Sequence, residues 1–435
     1  MTRPSTSTSA FGVSRREGHD ASSFYERFTS PTTSKDSDLA EPSGIAMGCF
    51  VGDSRDLHQL PDASVALVVT SPPYFAGKAY ETELDQEGIP STYLEYLQLL
   101  TEVFAECARV LEPGGRMAIN VANLGRKPFR SLAADVISIL QDDLGLLLRG
   151  EIIWQKAKGA GGNCAWGSFR SPSNPVLRDV TERVIIASKG RFDRAKSEKD
   201  RESAGLPHRA TITADEFMAA TLDIWTIDAE SATRIGHPAP FPVELPRRLI
   251  ELFTYEGDLI LDPFLGSGST LVAAKESGRR GIGFDLDPAY VKLATTRVDA
   301  ASPRPLPEES GTFRATLEHV LSKLNVEVVT PPKRPKAAVS ADFRVKTGNL
   351  EVDLIVAGGW TVGRSGLEST SSVLEVLGKA SMLRTAGASS VLVVTPALPA
   401  PSSESMRLLR AAADLASVTT LDNLAAFLHL DRSTP

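Results

Sequence analysis

From Cys49 onward, short apolar runs alternate with longer amphipathic segments, and no other feature restricts the fold of this chain as strongly. A short apolar run is hidden on both faces only when helices cover both sides of its sheet. The alternation therefore predicts a mostly parallel sheet between helical layers, an α/β architecture. Val65-Ala66-Leu67-Val68-Val69 reads as one buried strand. Tyr93 to Leu111 has a helical period and stops at Pro113-Gly114-Gly115, after which Arg116 to Val121 resumes as strand. Further strands are expected at Glu151 to Trp154, Arg183 to Ala187, Leu259 to Leu261 and Gly281 to Phe284.

In a doubly wound sheet, ligands bind outside the carboxyl ends of the strands, so a polar and conformationally unusual sequence directly after a strand marks a site. Thr70-Ser71-Pro72-Pro73-Tyr74 leaves the first strand in this way. The two prolines fix φ and remove two backbone donors, which makes a stiff turn that presents carbonyl oxygens. An amino group conjugated to a ring is a poor nucleophile because its lone pair is delocalised. If the Ser71 hydroxyl and the Pro72 carbonyl accept its protons, the nitrogen is held pyramidal with its lone pair aimed at an electrophile. Tyr74 is expected to stack on the ring, and a base held this way must be flipped out of its duplex.

The second such place is Asp262-Pro263-Phe264-Leu265-Gly266-Ser267-Gly268-Ser269-Thr270, which leaves Leu259 to Leu261 and opens a helix. Gly266 and Gly268 let the backbone approach a ligand, and the helix N-terminus offers N–H groups to a carboxylate. The loop has no P-loop Lys and does not fit G-x-G-x-x-G, which disfavours ATP and a dinucleotide. Asp285 ends the next strand, where a carboxylate can bind both hydroxyls of a ribose. With Asp262 facing an ammonium and Phe264 packing on the ligand, the two loops suit a cofactor that joins an amino acid to a nucleoside without phosphates.

With 435 residues the chain exceeds one compact domain. Residues 1–45, rich in Ser and Thr, read as a largely disordered tail, with Phe24, Tyr25 and Phe28 at helical spacing as a docking exception. Residues 46–300 form the main domain, 301–340 a proline-containing linker, and 341–435 a smaller α/β unit with a strand at Val391 to Val394 and helices from Ser405 to Leu415 and Asn423 to Leu428. Cys49, Cys107 and Cys164 have no C-x-x-C spacing, so neither a disulfide frame nor a metal site is expected. No apolar run approaches the roughly 18 residues that span a bilayer and no secretory leader is apparent, so the expectation is a cytoplasmic protein without a membrane partner. The net charge of -7 disfavours a nucleic-acid partner, yet between Arg149 and Arg209 thirteen Lys and Arg face seven Asp and Glu.

Taken together, these residues resemble the β class of amino-methyltransferases from restriction-modification systems, the N4-cytosine and N6-adenine DNA methyltransferases, in which the catalytic loop precedes the cofactor loop. Ser71, Pro72, Pro73 and Tyr74 look like the family's catalytic motif, and Asp262 to Gly268, including Ser267, like its cofactor motif. Gly52-Asp53 is similar to the acidic turn that contacts the cofactor adenine, and His237-Pro238 to the segment that packs on the methionine end. Ile153 to Lys156 and Glu182 to Lys189 resemble the middle strands. The resemblance implies a permuted Rossmann-like fold, S-adenosylmethionine as cofactor, bound by Asp53, Thr70, His237, Pro238, Asp262, Phe264, Gly266, Ser267, Gly268 and Asp285, and direct transfer of methyl to the exocyclic amino group of a flipped base in double-stranded DNA.

The family's recognition segment falls at about 190–235, overlapping the basic run. Lys156, Lys158, Arg170, Arg191, Arg194, Lys196, Lys199 and Arg201 are therefore expected to contact DNA phosphates. In this family S-P-P-Y is associated with N4 of cytosine and D-P-P-Y with N6 of adenine, so the resemblance implies N4 of cytosine as the acceptor, with N6 of adenine as the alternative because Ser71 can bond either amino group. A cognate restriction endonuclease and a homodimer are the further partners the family implies. The competing readings are methylation of RNA or protein, a catalytically silent binder, and a nuclease-like C-terminal unit built on Asp353. In that last case Glu375-Val376-Leu377-Gly378-Lys379 has the wrong spacing for a metal-holding Glu-x-Lys strand and reads as helix, which favours a non-catalytic DNA-binding or dimerisation module.

Overall fold

The apolar runs form an eight-stranded sheet in the computed structural model, which describes residues 32–40, 44–74, 92–123, 129–156, 177, 180–230, 235, 241–303, 312–324, 326–329, 339–347, 350–359, 366–367 and 370–428. Its strands are β1 (Gly48–Val51), β2 (Val65–Thr70), β3 (Leu111–Val121), β4 (Leu147–Gln155), β5 (Thr181–Ser188), β6 (Ile224–Thr226), β7 (Leu259–Asp262) and β8 (Arg280–Asp285). They lie in the order β1-β8-β7-β2-β3-β5-β4-β6. All pairings are parallel except those of β5, which runs antiparallel to both β3 and β4. That reversal puts the first residues of β5 at the carboxyl edge of its neighbours.

The helices of this unit are α1 (Tyr93–Val110), α2 (Leu132–Ser138), α3 (Glu198–Ser203), α4 (Ala214–Ala220), α5 (Glu244–Phe253), α6 (Ser269–Glu276) and α7 (Pro288–Ala300). Thr92 and Glu95 make a reciprocal capping box that starts α1, and Tyr96, Leu100, Val103, Phe104 and Cys107 form its buried stripe. With α2 this stripe covers one sheet face, including Val68, Ile119, Ile185 and Leu261. Leu245, Leu249 and Ile250 of α5 and Ala273 and Ala274 of α6 cover the other, against Val69, Val184 and Ile260. Burial on both faces explains why these strands read as continuous apolar runs.

The alternation located the cores of β2, β3, β4, β5, β7 and β8, but β3 starts at Leu111 rather than Arg116. The Pro-Gly-Gly sequence is an irregularity inside the strand because the chain beyond β5 continues the ladder: Gly114 N donates to Lys189 O at 2.8 Å and Lys189 N to Gly115 O at 3.1 Å. Gly114 has φ +78°, and a Cβ there would lie 1.9 Å from the Asp193 carbonyl, so only glycine fits. Neither β1 nor the edge strand β6 was anticipated. The tail segment with Phe24, Tyr25 and Phe28 lies outside the described residues.

A second sheet follows, with β9 (Glu327–Val329), β10 (Phe343–Thr347), β11 (Leu350–Val356), β12 (Val391–Val394) and β13 (Ser417–Thr419) in the order β13-β12-β11-β10-β9. On one face lie α8 (Phe313–Lys323) and α11 (Leu421–Phe427), on the other α9 (Thr370–Thr385) and α10 (Glu404–Ala411). The expected linker 301–340 is corrected here: Phe313, Leu317 and Leu321 of α8 are fully buried in this second core, and β9 pairs with β10. An amphipathic helix hidden among prolines was missed because the prolines fall on both sides of it. Phe313 N also donates to Asp215 Oδ2 at 2.9 Å, which joins the unit to α4.

In the second unit, among the described residues, the groups of the nuclease-like alternative do not meet at one centre. Arg344 holds Asp353 bidentately, at 2.7 and 2.8 Å, while Lys379, on helix α9 with Glu375, reaches Asp342 at 2.8 Å. Among the described residues no helix is long and apolar enough to cross a membrane, and no group of three His, Cys, Asp or Glu is placed to hold a metal ion.

Candidate active site

Strands β2 and β7 are neighbours from which the chain departs in opposite directions, β2 toward β3 and β7 toward β8. The crevice beyond their carboxyl ends is the topological switch point, where doubly wound folds bind ligands. Thr70 ends β2 and Asp262 ends β7, and the Thr70 hydroxyl donates to Asp262 Oδ1 at 2.6 Å. Two loops 192 residues apart in the chain thus share one bond.

On the cofactor-loop side, Asp262 is fully buried, and its Oδ1 also accepts from Phe264 N at 3.2 Å. Oδ2 has no hydrogen bond of ordinary geometry among the described residues, although the Thr270 hydroxyl sits near enough to favour the charged form. Burial pushes the Asp262 carboxyl up to about 7. Gly266 N donates to Asp285 Oδ2 at 2.8 Å, and Asp287 N to Asp285 Oδ1 at 2.9 Å, which folds the glycine loop back onto the end of β8. Burial pushes the Asp285 carboxyl up as well. Gly268 caps α6 with φ +77°, and a Cβ on it would come within 2.7 Å of the Ala294 methyl, so the loop closes only with glycine there. Ser267 is buried, and Phe264 packs half-buried against the α1 side of the core.

The turn after β1 joins this edge. Gly52 N donates to Asp285 O at 3.0 Å and Ser54 Oγ to Pro263 O at 2.8 Å. Asp53 itself is held by Arg55, whose guanidinium keeps the carboxyl below its usual range. His237 and Pro238 lie outside the described residues.

On the catalytic-loop side the structure adds residues that pattern reading missed. Ser71 Oγ lies 2.8 Å from Tyr74 Oη and 3.1 Å from Asn120 O. Tyr74 Oη donates to Glu182 Oε2 at 2.9 Å, and Asn120 Nδ2 donates to the same carboxylate at 2.5 Å and to Tyr74 Oη at 3.0 Å. Lys156 Nζ reaches the other Glu182 oxygen at 2.9 Å. From α1, the Tyr96 hydroxyl donates to Pro73 O and clamps the turn. Tyr74 is only 7% exposed, so its hydroxyl, not an open ring face, is the feature the structure displays. The signal for Asn120 and Glu182 was present as polar interruptions in the apolar strands β3 and β5, but only the reversed direction of β5 brings Glu182 to this edge.

Among the described residues the basic run does not form one basic face. Arg194 pairs with Glu112 and, at 3.1 Å, with Asp258; Arg201 pairs with Asp258 at 2.7 Å, and both guanidinium groups lie over the Tyr255 ring. Arg201 is 2% exposed. These two arginines are corrected from phosphate contacts to buried ion pairs, because each charge is neutralised inside the fold. Arg191 is tied down by Asp193 at 3.2 Å and by Asp36 O at 2.9 Å. Lys156 belongs to the Glu182 network, Lys196 is half-buried and Lys199 exposed, and Lys158 and Arg170 lie outside the described residues.

Fold and edge together define a doubly wound α/β enzyme whose glycine loop and proline turn meet at one switch point. The chain belongs to the DNA methylase family, whose model matches residues 65–296. It is 31% identical over 272 residues to the Type II methyltransferase M.MthZI of Methanothermobacter thermautotrophicus, covering 58% of this chain and 76% of that protein. It is 32% identical over 280 residues to the Type II methyltransferase M.MjaI of Methanocaldococcus jannaschii, covering 57% and 89%. A Thermus thermophilus protein described as a DNA modification methylase, solved with S-adenosyl-L-methionine, aligns at 31% identity over 61% of this chain and 97% of its own, with a TM-score of 0.44.

Proposed function

We propose that this DNA methylase transfers the methyl group of S-adenosylmethionine to the exocyclic amino group of a flipped base in double-stranded DNA, with N4 of cytosine as the favoured acceptor. The observation that carries this reading is the Thr70 to Asp262 hydrogen bond, which places the acceptor turn and the glycine loop at one crevice. The residues suit the cofactor: the buried Asp262 Oδ2 lacks a partner of ordinary geometry among the described residues, which is what an ammonium would supply. Asp262, Phe264, Gly266, Ser267, Gly268 and Asp285 would hold it, together with Thr70, His237, Pro238 and the Asp53 turn. The cofactor when bound provides an electrophilic methyl on sulfonium.

This chain's own residues prepare the nucleophile. Ser71 Oγ and the Pro72 carbonyl accept the amino protons, Pro73 and the Tyr96 clamp keep the turn rigid, and Tyr74 borders the base. Rigid acceptors aligned in advance remove the entropy of orienting a weak nucleophile. Residues 46–300 act as the transferase unit, with 190–235 as its recognition insert and Lys196 and Lys199 as phosphate contacts. The C-terminal unit serves as a non-catalytic DNA-binding or dimerisation module.

The test is incubation of the full chain with S-adenosylmethionine labelled in its methyl group and, separately, duplex DNA, RNA and protein. Labelled DNA is then digested to nucleosides and resolved by mass. N4-methylcytosine supports the reading in full. N6-methyladenine overturns the choice of base, and label in RNA or protein but not DNA overturns the substrate class.

A further inference from the structure

Removing a proton is the part of amino-group methylation that the turn alone does not explain. When the nitrogen lone pair forms the new N–C bond, the S–C pair leaves with sulfur, and the nitrogen carries a positive charge and one proton too many. That proton must reach a base. Ser71 is a hydroxyl and Pro72 offers only a carbonyl, and neither is a base that can keep it.

The network behind Ser71 has the required direction. Tyr74 Oη donates its proton to Glu182 Oε2 at 2.9 Å and therefore meets Ser71 as an acceptor; the Ser71 hydroxyl can donate to it at 2.8 Å or, by rotation, to Asn120 O at 3.1 Å, and the shorter contact is the one that continues the series. The Ser71 oxygen then faces the amino group as an acceptor. Substrate N–H, Ser71 O–H, Tyr74 O–H and the Glu182 carboxylate form one head-to-tail series. We propose that this series is a proton relay, with Glu182 as the terminal acceptor of the proton lost from the methylated nitrogen. The inference rests on the methyl-transfer reading above.

The step balances as three coordinated shifts. The N–H bond breaks to form an O–H bond on Ser71, the original Ser71 proton passes to Tyr74, and the original Tyr74 proton passes to Glu182. The products are a neutral methylated amine, unchanged Ser71 and Tyr74, and a Glu182 carboxylic acid. No further reactant is needed.

Three elements surround Glu182, and each has a place in the relay. Lys156, after β4, holds Oε1 at 2.9 Å and is itself 28% exposed in its side chain, so the end of the series lies next to a group that reaches solvent. Asn120 of β3 donates to Oε2 and to Tyr74 Oη, at 2.5 and 3.0 Å, fixing the lateral position of both. Tyr74 comes from the catalytic turn. Glu182 is 8% exposed, so the acceptor is shielded from bulk water at the moment of transfer. It does not touch the base and acts through Tyr74 and Ser71.

The experiment measures single-turnover methylation of duplex DNA by the full chain across pH, alongside cofactor affinity by calorimetry and base flipping by the fluorescence of 2-aminopurine at the target position. For Glu182→Gln we expect unchanged cofactor affinity and flipping, a fall of about 100-fold in the chemical step, and a pH profile altered from that of wild type. Imidazole added as an external base should recover part of the loss. Tyr74→Phe keeps the ring and removes the hydroxyl, and should show the same loss with binding retained. A wild-type rate and pH profile in either variant overturns the relay. Equal losses in cofactor affinity, flipping and rate also overturn it, since they mean a structural role. A wild-type protein that leaves DNA unmethylated instead defeats the functional reading on which the relay rests.

Discussion

The Thr70 hydroxyl donates to the Asp262 carboxylate across 2.6 Å, and this bond joins the end of β2 to the end of β7 inside a fully buried edge. Thr70→Val keeps the shape and removes the donor. A buried carboxylate that loses a hydrogen bond costs about 1–3 kcal/mol, which urea unfolding should register as a lowered midpoint with unchanged slope. Cofactor affinity should fall with it, because the two loops are no longer held in register.

Burial holds the Asp262 carboxyl at about 7, which gives a pH signature of definite sign. In the cofactor-free chain, Asp262 keeps a proton that the unfolded chain has already lost above its ordinary value of about 3.9. The folded state therefore binds more protons than the unfolded state in this window, and the Asp262 contribution to stability falls as pH rises from about 4 to about 7. An ammonium partner needs the charged carboxylate, so cofactor affinity should climb between about pH 6 and pH 8. Calorimetry across that range should show the climb in wild type and a flat, weaker profile in Asp262→Asn.

Ser71→Ala should separate chemistry from binding. The methyl-transfer rate is expected to fall by about 100-fold or more, with cofactor affinity within about twofold of wild type, because Ser71 faces the acceptor and not the glycine loop. Asp285→Ala should do the reverse and weaken the cofactor first, since Asp285 also anchors Gly266. Full activity in Ser71→Ala sinks the assignment of the turn.

Gly268→Ala tests the loop itself. At φ +77°, with the Ala294 methyl 2.7 Å from the new Cβ, the substitution combines backbone strain with a clash. A cost of about 1–3 kcal/mol in thermal unfolding and a loss of cofactor binding are expected.

Charge on the insert divides into two kinds. Arg201→Ala leaves Asp258 short of a partner in a buried cluster and should cost about 3–5 kcal/mol of stability. Lys199→Ala should leave the melting temperature unchanged and instead lower DNA affinity with a shallower salt dependence. A filter-binding series against salt, run beside melting curves, distinguishes the two.

Strand cores, the two loops and their order were legible because each is encoded locally: apolar runs need two covering layers, consecutive prolines stiffen a turn, and a glycine doublet permits a tight approach. Helix α8 was not legible, because Phe313, Leu317 and Leu321 acquire meaning only from the second sheet they cover. Counting charge misled for the same reason. Arg194 and Arg201 add to a basic run in the chain but meet Glu112 and Asp258 in space.

By itself the sequence determined a doubly wound fold with an acceptor turn and a glycine loop, since hydrophobic period and backbone restriction act between near neighbours. Tertiary structure alone decided that Thr70 meets Asp262 and that Ser71, Tyr74, Asn120, Glu182 and Lys156 form one network. The physical reason is strand order and direction. Adjacency of β2 and β7 is set by how the whole sheet assembles, and the antiparallel course of β5 carries a buried carboxylate to the edge where the parallel strands end.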